Sequence, residues 1–281
     1  MANKLTVLFL NTWGPRYPEE ILRYLLKPNL PYDILCLTEV SHPKGVTPQG
    51  SVFLDPKDVV PTLIDGHRYL TESLNRHYEH RFDCATTETW VCARTRATYH
   101  NIGYGSSLLW RRTISFKALQ TGAVSIDTGY GARGVRTLQW VIVQLGGMRY
   151  LIAHLHGLWI AGNTKGDSPE RFRQSKLVRD ELGKLQRKWF CRKVVFGGDL
   201  NLSIDTDALK RLEGVGEETR LCNLICRYEL QSTRTQLYRK HGEGPQHADY
   251  VLVSPKVEVD SFKVDTGFMG SDHAPLVVTF S

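Results

Sequence analysis

The chain has 281 residues, of which 41% are hydrophobic and 23% are charged, a composition typical of a globular protein with a substantial buried core. No run approaches the roughly 18 consecutive apolar residues that a membrane-spanning helix needs, and the apolar run at 5–10 is too short for the core of a signal peptide. These features argue against a membrane-spanning or exported protein. We therefore expect one cytoplasmic domain over residues 1–281, acting as a monomer.

The formal net charge is +7, from 36 basic and 29 acidic residues. A basic balance favours a polyanionic partner, because Lys and Arg gain affinity for phosphates by releasing counterions. Simple solubility explains the same charge equally well. The six cysteines form no CxxC pair, and most lie in apolar contexts, so we expect them to be reduced thiols.

Short apolar runs of strand length alternate with helical patterns along the chain, which indicates an α/β fold. The predicted strands are 5–10, 34–37, 106–110, 138–145, 150–156, 194–196, 249–253 and 276–280. The predicted helices are 19–27, 169–187, 206–212 and 218–228. Residues 40–100 contain many turn-forming Pro and Gly residues and are expected to form surface loops.

Two local signals around the middle of the chain are strong. Ser168 followed by Pro169 is a helix start, because the serine oxygen accepts from the first free N–H groups and proline suits the first turn. The glycine pair 146–147 between two apolar runs predicts a β-hairpin. Its second strand should bring His154 and His156 to one face, since side chains two residues apart point the same way.

Polar side chains capable of chemistry recur where predicted strands begin or end. They are Asn11, Glu39, Asp199, Asn201, Asp249, Asp272 and His273. Each one alone is explained by turn formation or surface exposure. Because α/β proteins place ligands at strand ends, the recurrence on five strands predicts one shared site. Oxygen donors without a Cys or His cage suit Mg²⁺ or Mn²⁺ better than Zn²⁺.

This ordered set of motifs resembles the endonuclease/exonuclease/phosphatase superfamily, which includes deoxyribonuclease-like and abasic-endonuclease-like enzymes. The matching motifs are Leu10-Asn11, Leu37-Thr38-Glu39, Tyr104 to Leu109, His154 to Gly157, Gly198 to Asn201, Ala248 to Tyr250, and Ser271 to His273. They extend over nearly the whole chain, and their order is that of the family. The chain looks like a bacterial-type branch. The resemblance implies a four-layered α/β sandwich, with two central, mostly antiparallel sheets flanked by helices.

The resemblance also implies roles for the acids and amides. Glu39 would be the principal ligand of a Mg²⁺ or Mn²⁺ ion, helped by Asn11 and Asp272. Asp199 matches the family's acid that activates or positions water, and Asn201 matches the residue that orients the phosphate. Some members carry an acid two residues after the asparagine, where this chain has a tryptophan, and this departure weakens the case for a second metal.

For the histidines, the resemblance pairs Asp249 with His273, whose charged ring would face the phosphate oxygens. Two mid-chain histidines compete for one catalytic position. We favour His156, which lies at the strand exit, and expect His154 to pack or to support the substrate from behind. Arg171, Arg234 and Tyr104 complete the predicted substrate-binding set. For the two arginines, an ordinary surface or helix-capping role is the alternative.

These expectations add up to a metal-dependent phosphoesterase that acts on phosphodiester bonds in nucleic acid through attack of an activated water. The alternative substrate is a small-molecule or lipid head-group phosphate. A non-catalytic binding module ranks behind both, because none of the motif acids is replaced. The G-x-G-x-x-G pattern at 129–134 is rejected as a nucleotide site because a predicted strand, not a helix, follows it.

Overall fold

A computed structural model describes residues 4–28, 32–45, 52–53, 61–74, 76–91, 97–113, 115–131, 134–163, 165–214, 220–239 and 244–281. The strands, in chain order, are β1 (Leu5–Asn11), β2 (Ile34–Pro43), β3 (Val52–Phe53), β4 (Thr62–Leu63), β5 (Tyr78–Val91), β6 (Thr98–Arg111), β7 (Lys117–Asp127), β8 (Val135–Leu145), β9 (Met148–Leu155), β10 (Lys193–Asp199), β11 (Cys222–Asn223), β12 (Asp249–Val253), β13 (Val259–Val264) and β14 (Leu276–Phe280). The helices are α1 (Pro18–Leu25), α2 (Gly66–Leu74), α3 (Pro169–Trp189), α4 (Asp207–Glu213), α5 (Leu224–Arg227) and α6 (Gln236–Arg239).

Two six-stranded sheets form the centre of the fold, in the orders β13-β14-β1-β2-β6-β5 and β11-β12-β10-β9-β8-β7. Each contains one parallel pair, β1 with β2 and β9 with β10, and its other pairs are antiparallel. The predicted α/β sandwich with two mostly antiparallel sheets is confirmed. That residues 1–281 form one domain stays a prediction.

Strand alternation explains how the first sheet is covered on both faces. Val7 and Phe9 of β1 join the large core between the sheets. Leu8 and Leu10 point the other way, into a second core shared with α1 and α2. A strand buried on both faces needs a nearly continuous apolar run, which the segment Leu5–Asn11 supplies up to its final asparagine.

The parallel pairs fix the position of the polar strand ends. Asn11, at the carboxyl end of β1, pairs with Thr38 in the middle of β2, and Asp199, at the carboxyl end of β10, pairs with Asp249, the first residue of β12. Close backbone approach is required here, because Gly198 has φ +124° and a Cβ on it would lie 2.4 Å from the oxygen of Leu155. The carboxyl ends of the two parallel pairs therefore meet.

The predicted local signals hold. Ser168 Oγ accepts a hydrogen bond from the N–H of Arg171 at 3.2 Å, and α3 begins at the next residue, Pro169. Gly146 and Gly147 both have positive φ and join β8 to β9 as a hairpin.

Among the described cysteines none forms a disulfide, while Cys92 lies outside the described residues. In the part of the chain described above, no helix has the length and apolarity needed to cross a membrane.

Two predictions of secondary structure are wrong. The supposed loop region 40–100 contains α2 and β5, which apolar periodicity missed because β5 is half-exposed and largely polar. The predicted helix 218–228 reduces, within the described residues, to strand β11 and helix α5. Asn223 sets that boundary, because its side chain accepts from the N–H of Ile225 at 3.0 Å and starts the helix there. Residues 218–219 lie outside the described ranges.

Two buried histidines make the fold sensitive to acid. Burial lowers the pKa of both His67 and His154 from 6.5 to about 3, so both rings are neutral in the folded chain at pH 7. Below pH 6.5 the unfolded chain binds protons that the folded chain does not, so folding stability falls as the pH is lowered from 6.5 towards 3. At pH 5 each ring should lower the free energy of unfolding by about 2 kcal/mol.

Urea unfolding of the wild type and His67→Gln at pH 7 and pH 5 measures this effect. The variant should lose about 2 kcal/mol less than the wild type between the two pH values, because it has one such ring fewer. Equal losses in the two proteins would contradict the assignment for His67.

Candidate active site

A pocket of about 570 Å³ opens where the carboxyl ends of the two parallel strand pairs meet. Most of the sequence-predicted site residues line it, namely Glu39, Tyr104, His156, Asp199, Asn201, Arg234, Asp272 and His273. Asn11 and Asp249 are almost fully buried directly behind these residues and contact them. The structure thus brings together side chains that lie up to 262 positions apart in the sequence, Asn11 and His273.

Glu39 occupies an unusual backbone position. It is the extra residue of a β-bulge between Thr38 and Val40, and its φ of 56° lies in the left-handed region. The hydroxyl of Thr12 holds the bulge by donating to the backbone oxygen of Glu39 at 2.9 Å. The bulge turns the carboxylate out of the pleat and into the pocket.

Glu39 and Asp199 come from different sheets and share one donor. The side-chain amide of Asn11 donates to Glu39 Oε1 and to Asp199 Oδ2, each at 2.9 Å. Tyr104 donates to the other oxygen of Glu39 at 2.6 Å. The backbone N–H of Asn201 donates to Asp199 Oδ1 at 2.9 Å. Every carboxylate oxygen of the pair therefore accepts at least one hydrogen bond.

These contacts keep both acids ionised. Burial would raise the pKa of each, but nearby imidazoles and the hydrogen bonds from Asn11 and Tyr104 outweigh it at Glu39, and its pKa is lowered. At Asp199, burial is outweighed by electrostatic interactions with His273, Lys165 and other neighbours, which hold its pKa well below the usual range. Both carboxylates are thus available as anions.

His156 faces this acid pair. Its Nε2 lies 3.5 Å from Glu39 Oε1 and 3.8 Å from Asp199 Oδ2. Burial lowers the pKa of His156 although both carboxylates act to raise it, so a neutral ring nitrogen is accessible. Neutral imidazole beside two ionised carboxylates is a donor set that can hold a divalent cation.

The geometry fits a metal ion. Ligand atoms of Glu39, His156 and Asp199 all lie within 4.8 Å of one another, and those of Asp199, Asp249 and His273 form a second such group. Asp272 Oδ1 is buried and has no hydrogen-bond partner among the described residues. Since a buried carboxylate oxygen without a partner is costly, this atom points to a ligand that completes the site.

His273 is held on both sides. The two carboxylate oxygens of Asp249 lie 2.8 Å and 3.0 Å from Nδ1 of His273. On the other side of the ring, Nη1 of Arg234 lies 2.5 Å from Nε2. Burial and Arg234 act to lower the pKa of His273, but Asp249, Asp272 and Asp199 outweigh them and raise it. Arg234 can donate only to an unprotonated Nε2, so this arrangement is the neutral ring with its proton on Nδ1. An anion that drew Arg234 away would leave Nε2 free to take a proton.

Three cations that line the pocket, Arg16, Arg136 and Lys165, were missed by sequence reasoning. Arg136 is 9% exposed, and its Nε has no hydrogen-bond partner among the described residues. Lys165 also lines the pocket; burial lowers its pKa, with Asp199 acting in the opposite direction. The sequence pattern could have indicated Arg136, because it shares a strand face with the buried residues Leu138 and Trp140, and charged side chains are rare on a buried face. Lys165 carried no comparable signal.

Two of the predicted substrate-binding residues do not line the pocket. His154 is fully buried, with its Nε2 2.6 Å from Gln139 Oε1. Arg171 is fully buried and donates to Asn163 Oδ1 and to the backbone oxygen of Gly166. For His154 this burial agrees with the packing role expected above, and for Arg171 a contact with substrate gains no support from the geometry. His154 packs in the sheet, and Arg171 holds the loop that carries Lys165.

Comparison with known proteins identifies the class. The model of the Endonuclease/Exonuclease/phosphatase family matches residues 8–273, so the chain belongs to this family. Members of the family hydrolyse phosphate esters. No curated protein sequence matches the chain.

Solved structures show the same fold. An endonuclease/exonuclease/phosphatase from Bacteroides vulgatus is 14% identical with a TM-score of 0.67, covering 99% of this chain and 98% of its own. A mannosyl-6-phosphatase from Bacteroides thetaiotaomicron is 18% identical with a TM-score of 0.68, covering 99% of each chain. The human Nocturnin catalytic domain, with bound sulfate, is 17% identical with a TM-score of 0.68, covering 99% of this chain and 93% of its own.

The positions of the two mid-chain histidines give a matched pair of variants. His156→Ala should lower kcat for phosphate-ester hydrolysis on the order of 100-fold, with little change in unfolding free energy, because its ring lies in the pocket. His154→Ala should lower the unfolding free energy by about 2 kcal/mol, because it leaves the buried Oε1 of Gln139 without its partner. Steady-state kinetics and urea unfolding of both variants check this, and an exchange of the two outcomes would make His154 the catalytic histidine.

Proposed function

We propose that this protein is a divalent-metal-dependent phosphoesterase that cleaves phosphodiester bonds of nucleic acid by in-line attack of an activated water. The observation that carries the proposal is the meeting of ionised Glu39 and Asp199, the Asp249–His273 pair and several cations in one pocket. Acids to hold a cation and activate water, beside imidazoles and guanidinium groups to face phosphate oxygens, are the parts that phosphoryl chemistry needs.

Mg²⁺ or Mn²⁺ is the proposed ion, and Glu39, Asn11 and Asp272 are its proposed ligands. Glu39 and Asp272 offer hard oxygen donors. Asn11 presents its amide nitrogen to the two carboxylates, and would hold the ion through its amide oxygen, which accepts from the N–H of Trp13 at 2.9 Å. When bound, the ion would neutralise charge that develops on the phosphate oxygens.

Asp199 is the proposed acceptor of the water's proton. It is 2% exposed and ionised, and its orientation is set by Asn11 and by the backbone of Asn201. The side-chain amide of Asn201 donates to the backbone oxygen of Gly157 at 3.2 Å, which fixes it at the pocket wall. From there we assign Asn201 to orienting the phosphate.

His273, oriented by Asp249, is assigned to the phosphate oxygen on which negative charge grows. Thr233 supports the pair by donating to Asp249 at 3.3 Å. Arg234 rests on His273 in this structure, and a phosphate entering the pocket offers the guanidinium a better acceptor than an imidazole nitrogen. Transfer of Arg234 to the phosphate would then free Nε2 of His273 to take a proton from solvent, and the charged ring would donate that N–H to the same anion.

A nucleic acid substrate is supported by the net charge of +7 and by Arg136, Lys165 and Arg234 around the pocket. The second candidate is a small phosphate ester. It is favoured by the pocket's volume of about 570 Å³, within the usual range for small-molecule sites, and by the mannosyl-6-phosphatase of the same fold. The monomeric state and the cytoplasmic location stay predictions.

Metal dependence is the first consequence of the proposal. Chelation should abolish hydrolysis of bis-p-nitrophenyl phosphate or plasmid DNA, and added Mg²⁺ or Mn²⁺ should restore it. Glu39→Gln should raise the metal concentration for half-maximal rate on the order of tenfold or more, because it removes one charged ligand. Full activity in excess chelator would refute the metal requirement.

A double-mutant cycle tests the Asp249–His273 pair. His273→Ala should lower kcat about 100- to 1,000-fold, with a smaller effect on KM, because the donor acts mainly in the transition state. Asp249→Asn should reproduce part of this loss, and the double variant should be little worse than His273→Ala, since the two residues act as one unit. Multiplicative losses would show that they act separately.

The salt response separates the polymer from the small substrate. If several Lys and Arg residues contact a nucleic acid backbone, the apparent affinity for plasmid DNA should fall by about tenfold or more between 50 and 200 mM salt, because each contact releases a counterion. Hydrolysis of a small phosphomonoester serves as the control, since it has little counterion release. A flat salt response together with good turnover of the monoester would favour the phosphatase alternative.

A further inference from the structure

A side lobe of the pocket has a different chemical character from the phosphate end. It has a volume of about 250 Å³ and adjoins Glu39 and Tyr104, which line both spaces. Its walls include Trp13 and Trp90, both only partly buried, and the carboxylate of Glu88. The cations Arg136, Lys165 and Arg234 line the main pocket but not this lobe, whereas Arg16, Trp13 and Glu88 line both spaces. A group attached to a phosphate in the main pocket would therefore meet indole surface here.

The aromatic walls are held in place by specific contacts. Trp90 donates from its indole nitrogen to Glu88 at 3.0 Å, and its ring lies 6.3 Å from that of Tyr104 at an angle of 65°. The guanidinium of Arg16 lies 4.4 Å from the ring centre of Trp13. Trp13 itself has a φ of 54°, so its backbone is fixed in the left-handed region, two residues after Asn11.

The acid in this lobe narrows the class of ligand. One oxygen of Glu88 accepts from Trp90, and its other oxygen has no hydrogen bond among the described residues. This carboxylate oxygen accepts hydrogen bonds from N–H groups, and the neighbouring indole rings offer flat apolar surface. A flat group with N–H donors on its edge, placed against indole rings, satisfies both features.

We propose that this lobe, formed by Trp13, Trp90, Tyr104 and Glu88, is a nucleobase subsite that binds the base next to the scissile phosphate. The proposal rests on the proposed phosphoesterase function and deepens it, because it makes the substrate a nucleotide unit rather than any phosphate ester.

Binding without turnover tests the subsite. The full-length protein in excess chelator is titrated with adenosine 5′-monophosphate and with ribose 5-phosphate, which differ only in the base, and binding is measured by calorimetry. The wild type should bind the nucleotide about tenfold or more tightly than the sugar phosphate, because base stacking on an indole commonly contributes a factor of this order. Equal affinity, tighter binding of the sugar phosphate, or no binding of either ligand would overturn the proposal.

Variants identify the residues responsible. Trp13→Ala and Trp90→Ala should each remove most of the preference for the nucleotide, while Trp90→Phe should retain it because a ring is kept. Phe190→Ala is the matched control, since Phe190 is a 78% exposed aromatic residue at the end of α3, outside both pockets, and should keep the wild-type preference. A preference that survived both alanine variants, with each shown to be folded by its unfolding midpoint, would also overturn the proposal.

The base subsite and the proposed phosphoesterase function can be refuted independently of each other. A protein that prefers the nucleotide but hydrolyses no phosphate ester with Mg²⁺ or Mn²⁺ would keep the base subsite and lose the proposed function. A protein that hydrolyses esters without any preference for a base would keep the function and lose the subsite.

Discussion

The bridge from Asn11 to two carboxylates is the contact on which the site depends. Its side-chain nitrogen donates at 2.9 Å to Glu39 in the first sheet and at 2.9 Å to Asp199 in the second. Two buried anions repel each other strongly in a medium of low dielectric constant, so they persist only if donors and cations surround them. Ser271 fixes Asn11 in turn by donating to its backbone oxygen at 2.7 Å. The site therefore exists only when both sheets hold their register and pack correctly.

The site also depends on buried polar residues behind the pocket, which fix the loop that carries Lys165. Arg171 holds the turn at Asn163 and Gly166, next to Lys165. Asp167 accepts from the first backbone N–H groups of α4, at Asp207 and Ala208, with distances of 3.0 Å and 2.9 Å. A charge in the pocket is thus placed by residues that never reach the substrate. Substitutions at these positions should act through the position of Lys165 rather than through the chemistry itself.

Much of the fold and of the site could be predicted because the relevant signals are local. Apolar runs that end in a polar residue located the strands β1, β10 and β12, and with them Asn11 and Asp199. Strand β5 could not be found in this way, since half-exposed polar edge strands lack a clear period. Strand alternation also predicted one shared face for His154 and His156, whereas in the structure His154 points into the sheet and His156, favoured from its place at the strand exit, lines the pocket. That difference arises from where β9 ends, at Leu155, and from its pairing with β8 and β10.

Backbone strain gives information that no sequence pattern contains. Seven described non-glycine residues have positive φ, and four of them line the pocket, namely Trp13, Glu39, Lys165 and Asn201. Each such conformation costs about 1 to 3 kcal/mol and persists only where the surroundings enforce it. Glu39 and Asn201 were expected in the site from their motifs, whereas the roles of Trp13 and Lys165 come from the structure. Because strain that serves only folding would be expected to disperse over the chain, its concentration here supports a functional role for all four. The cost of this strain is balanced by the packing of the two sheets. They hold the strand ends rigidly enough to keep four unfavourable backbone conformations around one pocket.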